Sequence, residues 1–218
     1  HLTTRRQRQM CIRDRFREEE FWNTITHFIG LLLSIIGISY LIYTNNNLPI
    51  LSFAGIIFFG FGLISVYLSS TLYHFVSEPA LKEKLRIFDH ISIYYLIAGS
   101  YAPVCLITLL DQSGVYILIC VTIIAIFGTF FKLLYIGKFE KLSLFLYLIM
   151  GWVIIVDIKS LFENLELNAI ILLILSGLSY SIGTVFYSMK KKYAHTIWHL
   201  FVLAGSAFHF FLILLYII

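Results

Sequence analysis

In a chain of 218 residues, 60% hydrophobic side chains against 13% charged ones exclude an ordinary soluble domain, which carries about 25% charge. The net charge of +4 is small, and nothing in the chain resembles a nucleic-acid platform, a phosphate loop, a dinucleotide fingerprint or a haem ligand pair. What remains is an integral membrane protein whose natural partners are lipids.

The first apolar run, Phe21–Ser77, spans 57 residues without Asp, Glu, Lys or Arg. Thr44–Pro49 in its middle is a turn signal that divides it into two spans. Further charge-free runs follow at Ile91–Leu110, Gln112–Phe131, Leu142–Val156, Leu167–Met189 and Tyr193–Ile218. Each is close to the roughly 20 residues that cross a hydrocarbon core at 1.5 Å rise. The pattern predicts an all-α, seven-transmembrane helix bundle with helices over 22–43, 49–74, 88–110, 114–134, 142–161, 168–188 and 194–218. The fifth has the weakest signal, because Asp157 and Lys159 interrupt it. Unbroken apolar runs exclude a membrane β-barrel, whose strands alternate apolar and polar residues. There is no internal repeat of the kind that builds many transporters. Residues 21–218 read as one membrane domain, preceded by a basic tail over 1–20.

Orientation follows from the basic residues. Arg5, Arg6, Arg8, Arg13, Arg15, Arg17, Lys82, Lys84, Arg86, Lys132, Lys138, Lys141, Lys190, Lys191 and Lys192 fall on one side, and Lys159 alone on the other. The positive-inside rule places the amino terminus in the cytoplasm and the carboxyl terminus outside. Residues 8–15 resemble translated sequencing-adapter read-through. Without residues 1–15 the net charge falls to 0, yet the basic asymmetry survives. The tail has no apolar core or cleavage site, so it does not read as a signal peptide.

On this topology His74 ends the second span, Asp89 begins the third, and His195 and His199 begin the seventh, all at one membrane face. Ser70 shares a face with His74 by i, i+4 spacing, as His195 does with His199. On the third span Asp89, Ser92, Leu96, Gly99 and Pro103 form one stripe. On the seventh, His195, His199, Val202, Ser206 and His209 form another. Ionisable groups in spans are rare and face a bundle interior, so several at one depth suggest a site. Spacing alone leaves a pair of interfacial histidines as the alternative. Cys105 and Cys120 lie near the outer ends of their spans, far from these groups. Gly55, Gly60 and Gly62 permit close helix approach, and Pro103 should kink the third helix.

Five motifs in order resemble the hemolysin III family, the bacterial branch of the progestin and adipoQ receptor superfamily. They are Glu19-Glu20-Phe21-Trp22-Asn23-Thr24-Ile25-Thr26-His27, Ser70-Thr71-Leu72-Tyr73-His74, Leu85-Arg86-Ile87-Phe88-Asp89-His90, Ile97-Ala98-Gly99-Ser100-Tyr101-Ala102-Pro103, and His195-Thr196-Ile197-Trp198-His199 with Gly205-Ser206-Ala207-Phe208-His209-Phe210. The resemblance implies a zinc ion near the cytoplasmic face, with His74, His195 and His199 as ligands and Asp89 and Ser70 in the catalytic positions. Three neutral imidazoles with an open fourth position suit catalytic zinc, whereas structural zinc more often takes thiolates. His27, Glu20, Tyr73 and His209 are candidates for supporting the ligands or lining a pocket. His209 lies about 15 Å deeper than His199, too far to share its ion. His90 points about 100° from Asp89, away from the ligands.

Three functions fit this reading. The first is a zinc-dependent hydrolase of a lipid amide or ester, acting in membrane-lipid homeostasis. The second is a receptor-like regulator of membrane state with structural zinc. The third is the cytolytic pore that the family name implies. The sequence offers the pore little, with no secretion signal and no charged conduction path.

Overall fold

The computed structural model describes the backbone of residues 2–45, 49–135 and 138–218, and the side chains from Glu18 onward within those ranges. The suspect segment 8–15 and the arginines before Glu18 lie outside the described side chains. Among the described residues every regular element is helical: α1 (Leu2–Thr44), α2 (Ile50–Phe75), α3 (Pro79–Pro103), α4 (Gly114–Leu134), α5 (Glu140–Trp152), α6 (Ile158–Asn164), α7 (Leu167–Tyr187) and α8 (Ala194–Leu212). Seven spans result, because α5 and α6 together make the fifth. Large apolar side chains such as Ile36, Phe61, Ile123 and Phe127 are exposed on the outside, while Ser70, His74, Asp89 and His199 are buried within. That inversion suits a lipid solvent.

The third helix begins at Pro79, nine residues before its expected start at 88. Glu78 caps it, its carboxylate accepting from Leu81 N–H at 2.6 Å and Ala80 N–H at 2.9 Å, and Pro79 occupies the first turn, where no backbone donor is missed. Those two bonds hold the Glu78 carboxyl below the usual carboxylate range. The cap therefore contributes above that range and is lost as pH falls through the lowered pKa. At its far end Pro103 removes a backbone donor, and the chain continues as a wider π turn, Val104–Thr108, with Leu109 N–H bonded to Val104 O at 3.0 Å. The expected disturbance at Pro103 thus takes the form of a change in winding.

α3 is the central helix. It packs most extensively on α2, and also on α4 and α5, while α1 and α7 flank α8. Gly62 and Gly99 make the α2–α3 approach possible: a Cβ on Gly62 would lie 2.6 Å from the Tyr95 carbonyl oxygen, and one on Gly99 2.7 Å from that of Phe58. Two apolar clusters form, one around Tyr94, Tyr101, Val121 and Met150, the other around Leu41, Phe59, Tyr67 and Val202.

The fifth span is broken, and its weak sequence signal has a structural counterpart. The Tyr101 hydroxyl donates to Met150 O at 2.8 Å and accepts from Ile154 N–H at 3.1 Å, so it occupies the place of one helical ladder bond. Val153–Asp157 tightens into a 3₁₀ turn, and Asp157 then caps α6 and holds the Ser113 hydroxyl. This span is also the least enclosed, which leaves space behind it.

Gly62→Ala should lower the thermal unfolding midpoint in detergent, with a loss of about 1–3 kcal/mol for overpacking a backbone contact. Gly151→Ala, whose added Cβ meets nothing within 4 Å, should leave the midpoint equal or slightly higher. A Gly62→Ala midpoint at the wild-type value would contradict the close α2–α3 contact.

Candidate metal centre

Two helix ends bring the histidines together. His74 lies in the last turn of α2, and His195 and His199 lie in the first turns of α8. The start of α8 is set by Tyr193, which adopts a left-handed conformation (φ 61°) and donates its backbone N–H to Glu19 Oε1 at 2.7 Å. That bond fixes where the helix begins, and so which way both histidines face. Ring centroids are 5.1 Å apart for His74–His195, 5.1 Å for His74–His199 and 4.7 Å for His195–His199.

One nitrogen from each ring lies within 4.8 Å of the others. Zinc bonds of 2.0–2.1 Å would set tetrahedral donors about 3.4 Å apart, so modest side-chain rotation closes the cluster on an ion. Two of the outer nitrogens are already committed. His74 Nδ1 faces Glu20 Oε2 at 3.2 Å, and His199 Nδ1 faces the Asn23 carbonyl at 3.2 Å and Thr26 Oγ1 at 3.0 Å. A carbonyl can only accept, so His199 Nδ1 carries the hydrogen, and its Nε2 keeps a lone pair. The same tautomer on His74 leaves Nε2 bare, and that atom is buried without a hydrogen-bond partner. An orphaned imidazole nitrogen in a three-histidine cluster is what a metal ligand looks like before its ion is counted.

α1 supplies the supporting contacts from one face. Glu20 also accepts from Lys82 Nζ at 2.7 Å, and Asn23 Oδ1 accepts from the Thr196 hydroxyl at 2.6 Å. Glu18 pairs with Lys192 at 3.0 Å. His27 stacks on His199 with centroids 3.5 Å apart. Tyr73 packs edge-on against His74 and beneath Lys82. The helix ends of α2 and α8 are thereby joined through α1.

Asp89, 8% exposed, and Ser70 stand side by side and line a cavity together with His27, His195 and His199. The cavity has a volume of about 360 Å³ and runs between α3, α5, α7 and α8. On α3 its lining extends from Asp89 to Val104, about 22 Å along the axis. Its far end is bounded by Ile158, Leu161, Phe162 and Ile170.

Of the residues singled out by sequence, the structure brings His74, His195, His199, Asp89, Ser70, Glu20, His27 and Tyr73 to one end of the bundle. His209 stands apart, donating from Nε2 to Ser100 O at 2.7 Å. His90 turns toward Lys132 and Glu140, away from the cluster. Asn23, Thr26, Thr196 and Lys82 are contacts of the cluster and of its acidic partners that sequence reasoning did not assign. The available signal was their spacing: Glu19, Asn23 and Thr26 recur on one face of an otherwise apolar helix.

A family model described as Haemolysin-III related matches residues 16–210. The chain is 43% identical over 204 residues to the Hemolysin-3 homolog of Bacillus subtilis (strain 168), covering 91% of this chain and 94% of that one. It is 41% identical over 205 residues to Hemolysin-3 of Bacillus cereus, covering 93% and 94%. The human Monocyte to macrophage differentiation factor is 32% identical over 168 residues, covering 73% of this chain and 68% of the human one. With seven long apolar helices, these relatives make the chain an integral protein of the bacterial cell membrane.

Purified protein should hold about one zinc per chain, measured by elemental analysis, and the double variant His74→Ala, His199→Ala should hold none. Equal metal in both would remove the site. Glu20→Gln should weaken zinc affinity about 10–100-fold, because it replaces the carboxylate behind His74. Competition with a chelator would measure this.

Proposed function

We propose a function from one premise: the chain belongs to the Haemolysin-III related family. Within it, this protein acts as a zinc-dependent hydrolase of lipid amides or esters at the cytoplasmic leaflet. The observation that carries this reading is the junction of a buried histidine–carboxylate cluster with a long cavity lined mainly by apolar side chains. A polar reacting end and a long apolar slot fit a single acyl chain with a carbonyl at its tip.

His74, His195 and His199 would hold the ion. When bound there, zinc supplies Lewis acidity and makes water nucleophilic near neutral pH. Asp89 takes a proton from the water that attacks the lipid carbonyl and passes it to the leaving nitrogen or oxygen. Water oxygen bonds to the carbonyl carbon, the carbon–nitrogen or carbon–oxygen bond breaks, and a fatty acid leaves with an amine or alcohol. Ser70, 1% exposed beside Asp89, keeps that carboxylate oriented. The apolar walls hold the chain and keep bulk water from the far end.

A second reading is a regulator in which zinc serves as a clasp. The joining of α2 and α8 by the cluster supports it, because these helices otherwise pack mainly on other partners.

Lipid profiling of cells expressing wild type or Asp89→Ala separates the two. The hydrolase reading expects a fatty acid product that falls about 10²–10⁴-fold in the variant while its zinc content stays unchanged. Retained zinc with identical lipid profiles, wild type included, would leave the regulator.

A further inference from the structure

The middle of the cavity carries a polar station that the hydrolytic chemistry does not use. His209 is 4% exposed and borders the cavity, ten residues beyond His199 on α8. Its Nε2 lies 2.7 Å from the backbone carbonyl of Ser100, which can only accept, so that nitrogen carries the ring hydrogen. In a neutral ring Nδ1 is then a bare acceptor, and among the described residues no hydrogen bond engages it. One turn back, Ser206 Oγ receives the Tyr67 hydroxyl at 2.7 Å and lies 2.9 Å from the Tyr180 hydroxyl, which also borders the cavity.

The Ser100 bond already ties α8 to α3, so a structural role is complete with one nitrogen. The other keeps a lone pair on a ring that borders a cavity lined mainly by apolar side chains, where an unused acceptor is unfavourable. We propose that His209 Nδ1 receives a hydrogen bond from a hydroxyl carried partway along the hydrocarbon chain of the bound lipid. The preferred ligand is thus a single-chain lipid hydroxylated in mid-chain. This inference rests on the reading of the cavity as an acyl-chain site.

Depth fixes the position of the hydroxyl. Ten helical residues separate His209 from His199 by about 15 Å. An extended chain with bonds of about 1.5 Å advances roughly 1.25 Å per carbon, which places the hydroxyl near the twelfth carbon when the carbonyl sits at the histidine cluster. The sign of the preference is diagnostic. A bore lined only by apolar groups would reject a hydroxyl, because burying it unpaired is unfavourable; a positioned acceptor reverses that order.

Displacement of a fluorescent fatty acid from the purified full-length protein tests this, with stearate, 12-hydroxystearate and 2-hydroxystearate as probes. Wild type should bind 12-hydroxystearate roughly fivefold more tightly than stearate, the worth of about one hydrogen bond. His209→Leu should reverse that order while keeping its affinity for stearate, which also reports that the bundle is intact. His209→Gln, which retains one donor and one acceptor, should keep part of the preference. The difference between wild type and His209→Leu should be absent for 2-hydroxystearate, whose hydroxyl lies at the wrong depth. Equal or weaker wild-type binding of 12-hydroxystearate would overturn the proposal and spare the acyl-chain reading. So would a preference that survives His209→Leu. If none of the three probes binds, both fall together.

Discussion

A buried imidazole has two nitrogens, and in a lipid-embedded bundle water is not at hand to satisfy them. At the polar end of this protein that constraint is met for one nitrogen of His74 and one of His199, while both nitrogens of His27 are buried without partners. Glu20 takes one nitrogen of His74, and Asn23 and Thr26 take one of His199. Each bond fixes a tautomer and aims the remaining lone pair inward. The outer contacts come from α1, which itself supplies none of the three cluster histidines. The first helix is therefore the frame of the site, and its acidic end is held in turn by Lys82, Lys192 and the Tyr193 backbone.

The cavity depends on a different feature. A straight, fully packed fifth span would close against α3 and α7. Here the Tyr101 hydroxyl takes the place of a ladder bond, the span tightens into a 3₁₀ turn, and the bore stays open behind it. Pro103 loosens the outer end of α3 into a π turn just beyond. The polar cluster at one end and the apolar cavity along the remainder thus meet along the central helix α3 and the broken fifth span beside it. Close α2–α3 packing through Gly62 and Gly99 keeps that helix in place.

Much of the site was visible in the linear chain. The i, i+4 pair His195 and His199, the position of His74 at the end of an apolar run, and Asp89 at the start of another all placed ionisable groups at one depth. Periodicity and span length carry that information because helix rise and pitch are nearly constant. The stripe from His195 to His209 likewise marked the inward face of α8. Less visible were Asn23, Thr26 and Thr196, whose hydroxyls and amides serve equally well as caps or solubilising groups. Their role depends on which neighbour they meet.

Sequence alone determined an all-helical seven-span bundle and the depth of its ionisable groups, because hydrophobic length and helical periodicity are local properties. Tertiary structure alone decided which helix stands behind His74 and His199, which nitrogen is left free, where the fifth span breaks and where the cavity runs. Those outcomes depend on contacts such as Glu20 with His74, 54 positions apart, and Tyr101 with Met150, 49 apart. No local pattern encodes such partners, since they are chosen only when the helices dock.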